Sequence, residues 1–478
     1  MEKRAQGHGR KVKGSRKGTG EGTGDGSACP LTLSPLSEIL LRATMEPMNN
    51  ETWYPLETSA KIYPAIISPR QPSVFRLSCT FENDIDPEIL QSALNVTMTR
   101  YPGFCMTLKR GAFWFYFEEL EKNPLLQPEQ HYPCQMVDPD LEGGFLFRVT
   151  WYKDRVNLEV FHVISDGTGG LEFLKTLVYY YLLLSGEDVK PGENVRTLHH
   201  KPTAEERENS FLRYYDPMIP SDRTDTLALH YQGTPLPPGH SRAIHVRTAA
   251  APLLDLAHAF DVTITEYLTA QFLRSFLDVL SGTTDSDKPV KISVPINLRK
   301  LFPSETLRNF TYFANIGEPL AKAAEPLEDT LSYIKTTLRA MCQKEPLTAR
   351  LNPNVSSEQN PFLRAAPLSI KQLVLRQAHH ILGDNLFTAS YSNLGIIRLD
   401  DSMCRHIKNF DFGLSCSDSI PLNLSMLTYE DTAYMTFSSN IEERDVERVF
   451  TRKLSDAGLD LLVRTSDSER RGDDEKLS

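Results

Sequence analysis

A histidine ends an apolar stretch and stands four residues ahead of an Asp-Gly pair, as His162, Asp166 and Gly167. Every second residue before it is apolar, and His162 continues that row. This period of two predicts a β-strand over residues 156–162 with His162 on its core-facing side. A histidine in this position suits a buried general base, because burial disfavours the charged imidazole. The alternative is a hydrogen-bonded core histidine, which is the commoner role of a single histidine on an apolar face.

A glycine-rich turn and a helix follow the strand. Three glycines within four positions, Gly167, Gly169 and Gly170, allow a backbone or a ligand to approach closely. We expect Gly167 to hold a φ that a side chain would oppose. Apolar residues then recur at three- and four-residue spacing, which predicts an amphipathic helix over residues 171–184.

Several further segments join this motif in a resemblance. The His-x-x-x-Asp-Gly sequence at a strand end resembles the signature of the chloramphenicol-acetyltransferase-like superfamily, which includes condensation domains and wax-ester synthases. The bacterial alcohol-acetyltransferase-like branch is the most similar. The other matching segments are Trp53–Leu56, Ala60–Pro64, Val294–Arg299, Asn309–Phe310 and Ser390–Gly395. Together they span roughly residues 51 to 460.

The resemblance implies a fold and an activity. The fold is α/β (α+β) and two-lobed, with two α/β sandwich domains that form a V around a tunnel. The activity is transfer of a short acyl group, most simply acetyl, from coenzyme A to a small alcohol or amine, with His162 as the general base. Acyl-CoA is then a co-substrate, and no bound cofactor or metal is expected.

The resemblance also implies roles for other residues. Asp166 is expected to turn away from His162 and to pair with Arg299, so that both, with Gly167, shape the site. Ser392 and Asn393 are candidates for contacting the oxyanion or the pantetheine arm, or else they cap a turn before Gly395.

One residue departs from the family pattern. Many members carry two consecutive histidines, and Phe161 replaces the first of them here. Strand parity directs Phe161 away from the face of His162, so the base itself is expected to be spared.

Two alternatives to CoA-dependent transfer remain open. One is a condensation-type enzyme whose acyl donor is bound to an acyl carrier protein. The other is a catalytically silent homologue that binds a ligand in the tunnel, which the loss of the first histidine motivates.

Composition restricts the class of protein. The chain has 478 residues, 40% of them hydrophobic and 24% charged, which suits a globular protein with two domains or one bilobal unit. Its net charge of −10 argues against a nucleic-acid partner. The predicted divisions are a mostly disordered basic tail (1–50), an N-terminal lobe (51–186), a connection (187–240), a C-terminal lobe (241–463) and a disordered tail (464–478).

The sequence also bears on compartment and on metals. Seven cysteines, an odd number without Cys-x-x-Cys spacing, predict reduced thiols in a cytoplasmic protein. No stretch is long enough to predict a transmembrane segment. The pairs His199-His200 and His379-His380 lack a third ligand at metal-binding spacing.

Periodicity predicts the remaining elements. The predicted helices cover residues 87–100, 204–215, 264–280, 326–342, 361–382 and 442–462. The predicted strands cover residues 73–82, 104–117 as a hairpin, 145–151, 242–246, 290–296, 310–316, 386–392, 406–412, 425–429 and 433–438.

Overall fold

The structure is a computed structural model that describes residues 53–130, 132–222, 225–282 and 286–465. The predicted basic tail of residues 1–50, which contains Cys29, lies outside the described residues. The predicted C-terminal tail also lies outside them, except for its first two residues, Arg464 and Thr465.

The first half of the chain alternates strands with helices. In chain order its elements are β1 (Trp53–Pro55), α1 (Tyr63–Ile66), β2 (Val74–Phe81), α2 (Pro87–Arg100), β3 (Met106–Arg110), β4 (Phe115–Glu119), β5 (Gln127–Pro128), β6 (Phe147–Tyr152), β7 (Arg155–Phe161) and α3 (Gly167–Leu184). Strands β2, β7 and β6 are antiparallel neighbours, and β5 extends them in parallel. Strands β1, β4 and β3 form a separate sheet of three.

The second half follows the short helix α4 (Ser210–Arg213). Its elements are β8 (Arg242–Ala249), α5 (Ala250–Ala259), α6 (Ile264–Leu280), β9 (Val290–Asn297), β10 (Thr311–Glu318), α7 (Leu327–Met341), α8 (Lys344–Gln359), α9 (Pro361–Ala365), α10 (Leu368–Leu382), β11 (Ala389–Ile397), α11 (Asp401–Cys404), β12 (Ile407–Leu414), β13 (Leu422–Tyr429), β14 (Thr432–Ser439), α12 (Asp445–Asp456) and β15 (Leu462–Thr465). A seven-stranded sheet has the order β10-β9-β11-β13-β14-β8-β15. Short 3₁₀ helices lie at Ser59–Ile62, Pro102–Phe104, Glu205–Arg207, Leu298–Lys300, Leu320–Ala324 and Asp384–Leu386.

Strand β12 crosses from the second half to the first sheet. It pairs antiparallel with β2, where Asp411 lies opposite Ser78, and the order there becomes β12-β2-β7-β6-β5. Residues 241–463 were predicted to form one C-terminal lobe. The eight residues of β12 lie within that range but extend the sheet of the other lobe. An alternating pattern predicts a strand without indicating which sheet edge it joins.

Two long helices have their predicted bounds, and capping residues mark where each of them begins. Helix α2 begins after Asp86, whose carboxylate accepts hydrogen bonds from the N–H groups of Glu88 and Ile89. Helix α6 begins with a capping box formed by Thr263 and Glu266. Each cap satisfies backbone donors that a helix start leaves without partners.

Other elements differ from prediction. The helix predicted over 361–382 is two helices, α9 and α10, because Pro367 between them has no N–H for the helical ladder. The last helix stops at Asp456 rather than Leu462, and Gly458 follows at φ +91°. Arg464, predicted in a disordered tail, lies instead in β15.

Seven of the named strands and α-helices were not predicted: β1, α1, β5, α5, α8, α11 and β15. Helix α8 contains Pro353 in its interior, next to Asn352. Both residue types have low helix propensity, so the composition of this segment argues against the helix that forms.

Each large sheet has its own hydrophobic core. In the first, Phe75 and Leu158 of the five-stranded sheet pack with Phe173 of α3. In the second, α6 and α12 pack on the seven-stranded sheet through residues such as Phe272 and Phe450. Two cores, each with helices against a sheet, confirm the predicted two-lobed α/β fold. Among the described helices, none is both long enough and apolar enough to cross a bilayer.

A cavity of about 1690 Å³ lies between the lobes. Arg76 and Asp411 line it from the five-stranded sheet, and His245 and Thr436 line it from the seven-stranded sheet. Asp411 is also 3.4 Å from the Nδ1 atom of His245. His162 does not belong to this lining, so a passage to His162 stays a prediction.

Candidate active site

His162 is the first residue of the turn that follows β7. Its N–H still donates to the carbonyl oxygen of Ser73 at 2.9 Å, which holds the backbone at the end of the sheet. Its ring stacks on Tyr63, with the centroids 5.5 Å apart, and lies 4.8 Å from the ring of Phe75. The residue is half-buried, and the two aromatic rings restrict the orientation of its imidazole.

Phe161 is buried beside the histidine. The strand ends at Phe161. The ring of Tyr63 contacts the rings of both residues, and its centroid lies 6.3 Å from that of Phe161. The predicted separation of the two side chains by strand parity is therefore incomplete, because the chain turns between them.

Two groups of Asn309 face His162. Asn309 Oδ1 lies 3.4 Å from His162 Nδ1, and Asn309 Nδ2 donates to the carbonyl oxygen of His162 at 2.7 Å. Burial lowers the pKa of His162, and it outweighs the opposing effects of Asn309 and Asp166. The imidazole is therefore neutral at pH 7 and able to accept a proton.

Asp166 lies at the start of α3 and faces the second half of the chain. Its Oδ1 atom caps the helix by accepting from the N–H groups of Thr168 and Gly169. Its Oδ2 atom accepts from the N–H of Phe310 at 2.9 Å and from Arg299 Nη1 at 2.8 Å. Burial by itself would raise the pKa of Asp166, but Arg299 and these N–H donors hold that pKa below its ordinary value.

Arg299 belongs to the 3₁₀ helix that follows β9. Besides Asp166, its guanidinium donates to the carbonyl oxygens of Thr306 and Arg308 and to Asn297 Oδ1. One side chain thus ties the loop before β10 to the first turn of α3. Removing either member of such a buried pair leaves the other charge buried without its partner.

Other residues pack closely against the glycines at the start of α3. No positive φ occurs at Gly167, contrary to prediction, because it is the first residue of a regular helix. A Cβ atom there would lie 2.7 Å from Leu394 Cδ2, so β11 of the other lobe approaches this point. At Gly169 a Cβ atom would overlap the carbonyl oxygen of Leu307 and the hydroxyl of Ser165.

Ser392 and Asn393 lie on β11, next to a bulge. Asn393 Oδ1 accepts from the N–H of Gly395, which has φ +81°, and Asn393 Nδ2 donates to the hydroxyl of Thr265. These bonds match the turn-capping alternative for Asn393. Ser392 is half-buried. Within the described part of the chain, neither side chain is hydrogen-bonded to His162.

Glu57 completes the surroundings of Asn309. Glu57 Oε1 accepts from Asn309 Nδ2 at 3.1 Å, and its two oxygens accept from the hydroxyl and the N–H of Ser59. The residue is 1% exposed, and burial raises its pKa to about 7. Sequence reasoning did not assign a role to Glu57 or Asn309. The available signal was an acidic residue directly after the apolar Leu56 in one matching segment.

The described residues hold no cluster of three or more His, Cys, Asp or Glu side chains that could bind a metal ion. The six cysteines in this part of the chain are free thiols, at positions 79, 105, 134, 342, 404 and 416.

Comparison with known proteins finds a likeness of structure. No protein-family model and no curated protein matches the chain. Polyketide synthase associated protein 5 from Mycobacterium tuberculosis is 14% identical with a TM-score of 0.55, and the match covers 84% of this chain and 97% of that one. TRI101 from F. graminearum, solved with coenzyme A and T-2 mycotoxin, is 10% identical with a TM-score of 0.55, over 86% and 100% of the two chains.

Condensation domains match as well. The starter condensation domain of rhizomide synthetase, solved with C8-CoA and Leu-SNAC, is 13% identical with a TM-score of 0.52. That match covers 84% of this chain and 94% of the other. At such low identity the likeness concerns the fold. The chain therefore has the fold of the chloramphenicol-acetyltransferase-like and condensation-domain proteins, as its sequence motifs predicted.

Proposed function

We propose that this chain is an acyltransferase that moves a short acyl group, most simply acetyl, from coenzyme A to a small alcohol or amine. His162 is the general base. The observation that carries the proposal is a neutral, half-buried imidazole whose Nδ1 atom faces Asn309. The Nε2 atom is then the one left to receive a proton from the acceptor.

The reaction needs few groups from the protein. Nε2 of His162 takes the proton from the acceptor hydroxyl or amine while that group attacks the thioester carbonyl carbon. The resulting oxyanion collapses, the carbon–sulfur bond breaks, and the thiolate of coenzyme A takes the proton back from His162. Neither a covalent enzyme intermediate nor a bound cofactor is required.

The comparisons support this class of reaction. The matching structures include a trichothecene 15-O-acetyltransferase from Fusarium sporotrichioides, which is 13% identical with a TM-score of 0.51 over 85% of this chain and 95% of that one. TRI101 was solved with coenzyme A. Because the fold is shared, the proposal carries the thioester donor over to this chain.

We assign the remaining residues by their contacts. Asp166 and Arg299 shape the site by joining α3 to the loop before β10, and Gly167 leaves room for Leu394. Ser392 remains the candidate donor to the oxyanion or to pantetheine. Asn393 is a weaker candidate, since its side chain already bonds Gly395 and Thr265.

A donor bound to a carrier protein is the second candidate. The match to a condensation domain motivates it. We place either reaction in the cytoplasm, because free thiols suit a reducing compartment.

The test is thiol release from acetyl-CoA across a panel of alcohols and amines. We expect His162→Ala to lower kcat by about 10²- to 10⁴-fold, the usual contribution of a general base, and to retain coenzyme A binding by calorimetry. The matched control is His258→Ala, which removes an exposed histidine on α5 and should behave as wild type. A parallel series uses acyl groups on a carrier protein.

The outcomes separate the candidates. Turnover only with carrier-bound donors would favour the condensation-type reaction. A ligand that co-purifies without any thiol release would indicate a silent binding protein. Equal thiol release by wild type and His162→Ala would refute the role of His162.

A further inference from the structure

We propose that Glu57 is a positioning residue that selects the tautomer of His162 by holding the side-chain amide of Asn309 in one orientation. The inference rests on the proposed function, in which His162 is the base. It concerns three side chains from distant parts of the chain, Glu57, His162 and Asn309, that meet in one hydrogen-bonded row.

The first step is the anchoring of Glu57. Its carboxylate follows β1 and receives the N–H of Ser59 at 2.7 Å and the hydroxyl of Ser59 at 2.8 Å. Arg308 lies nearby, but its guanidinium donates to the carbonyl oxygens of Arg207 and Pro55 instead. Glu57 is therefore a fixed acceptor whose remaining partner is Asn309.

The second step is the orientation of the amide. Asn309 Nδ2 lies 3.1 Å from Glu57 Oε1 and 2.7 Å from the carbonyl oxygen of His162. The backbone carbonyl of His162 can only accept, and so can the Glu57 carboxylate once it is ionised above its pKa of about 7, so both then require the NH₂ group on that side. Turning the amide over would place Oδ1 against two acceptors and lose two hydrogen bonds.

The third step is the tautomer. With Nδ2 held by its two acceptors, Oδ1 is the atom that faces His162 Nδ1, at 3.4 Å. An oxygen there favours a proton on Nδ1, and a neutral imidazole then has its lone pair on Nε2. The contact is long, as catalytic hydrogen bonds often are without substrate. Glu57 thus acts on the base through Asn309, without touching it.

Replacing Glu57 with glutamine tests this chain of contacts. Glutamine has nearly the same shape but offers one oxygen where glutamate offers two. Either the N–H of Ser59 or the NH₂ of Asn309 must then face another NH₂ group. A turned Asn309 would donate to Nδ1 and would favour the tautomer with the proton on Nε2. In that tautomer Nε2 has no lone pair with which to accept a proton.

The measurement is the nitrogen NMR spectrum of the full-length chain labelled in its histidines, recorded above the Glu57 pKa of about 7 so that the carboxylate is ionised. The His162 signals are those missing from His162→Ala. In wild type we expect the proton on Nδ1. In Glu57→Gln we expect a substantial fraction with the proton on Nε2, and a kcat lower by about 10-fold or more with KM nearly unchanged.

A matched control uses the same substitution elsewhere. Glu447 on α12 is also a buried glutamate, 3% exposed, in the other lobe. Glu447→Gln should leave the His162 spectrum and kcat as in wild type.

Two results would overturn the inference: a wild-type His162 with its proton on Nε2, or the wild-type tautomer in both Glu57→Gln and Glu57→Leu, since leucine offers Asn309 no acceptor in any orientation. Neither depends on turnover. If His162→Ala still released thiol at the wild-type rate, the proposed function would fail while the tautomer result would stand.

Discussion

Two buried carboxylates lie near His162, and their surroundings differ. Asp166 faces the guanidinium of Arg299 and also accepts from N–H groups of α3 and from Phe310, so its pKa is lowered. Glu57 receives uncharged donors from Ser59 and Asn309, and burial raises its pKa to about 7. The surroundings thus stabilise the charged form of Asp166 fully and the charged form of Glu57 only in part.

The difference suggests that Asp166 and Glu57 have different roles. A compensated charge such as Asp166 makes a rigid joint, because its two oxygens accept from N–H groups of α3, from Arg299 and from the N–H of Phe310 before β10. A less compensated one such as Glu57 costs stability when it is ionised, and a cost of that kind is common where a group serves a site. We expect Asp166 to matter chiefly for architecture and Glu57 chiefly for the base.

The largest effect should follow from Asp166→Asn. This change leaves Arg299 as an unpaired buried charge, and we expect the free energy of unfolding to fall by about 3–5 kcal/mol. Chemical denaturation measures it. The control is Asp154→Asn in the more exposed pair with Lys408, 2.9 Å apart, where a change of at most about 1 kcal/mol is expected. Similar small losses in both variants would show that the Asp166 joint is not structural.

A smaller effect concerns Glu57 and pH. The folded protein holds the Glu57 proton up to a pKa of about 7, against an ordinary value of 4.5, so wild type should lose stability as pH rises between these values. The size is on the order of 3 kcal/mol, at about 1.4 kcal/mol for each unit of pKa.

Glu57→Gln should remove the part of that loss that comes from Glu57, and denaturation curves at several pH values would show a flatter dependence; the part that comes from Glu447, whose pKa burial also raises to about 7, should remain. Asp166→Asn should leave the slope unchanged in this range, because the lowered pKa of Asp166 leaves it ionised in both states. If Glu57→Gln kept the wild-type slope, the pKa of Glu57 would not be raised in the folded protein.

The smallest effects separate two glycines beside Asp166. In Gly169→Ala the new methyl group would overlap a backbone carbonyl oxygen, that of Leu307, so we expect a loss of about 1–3 kcal/mol in thermal unfolding. In Gly167→Ala it would meet only the end of the Leu394 side chain, which can rotate, and we expect a loss below about 1 kcal/mol. Equal losses would mean that the turn itself adjusts.

Features with local causes were predictable from the sequence. Helices α2 and α6 have their predicted bounds because their capping residues lie within a few positions of the helix start. The His162 motif was found because its residues lie within one turn. The pairing of Asp166 with Arg299 came from the family resemblance, since 133 positions separate the two residues.

Features that depend on distant contacts were not predictable in this way. The contact between Glu57 and Asn309 joins residues 252 positions apart, and nothing near either residue indicates the other. The position of β12 depends on which sheet edge is open, and α8 forms despite Pro353 because tertiary packing outweighs local propensity.

The central claim is that neutral His162 is the base. The most direct test compares two midpoints on one protein: the pH at which the His162 ring loses its proton, followed by NMR, and the pH at which kcat/KM rises. We expect both below 6.5, the ordinary value for histidine, and equal to each other. A ring still protonated at pH 7, or a kcat/KM that does not follow its titration, would contradict the claim.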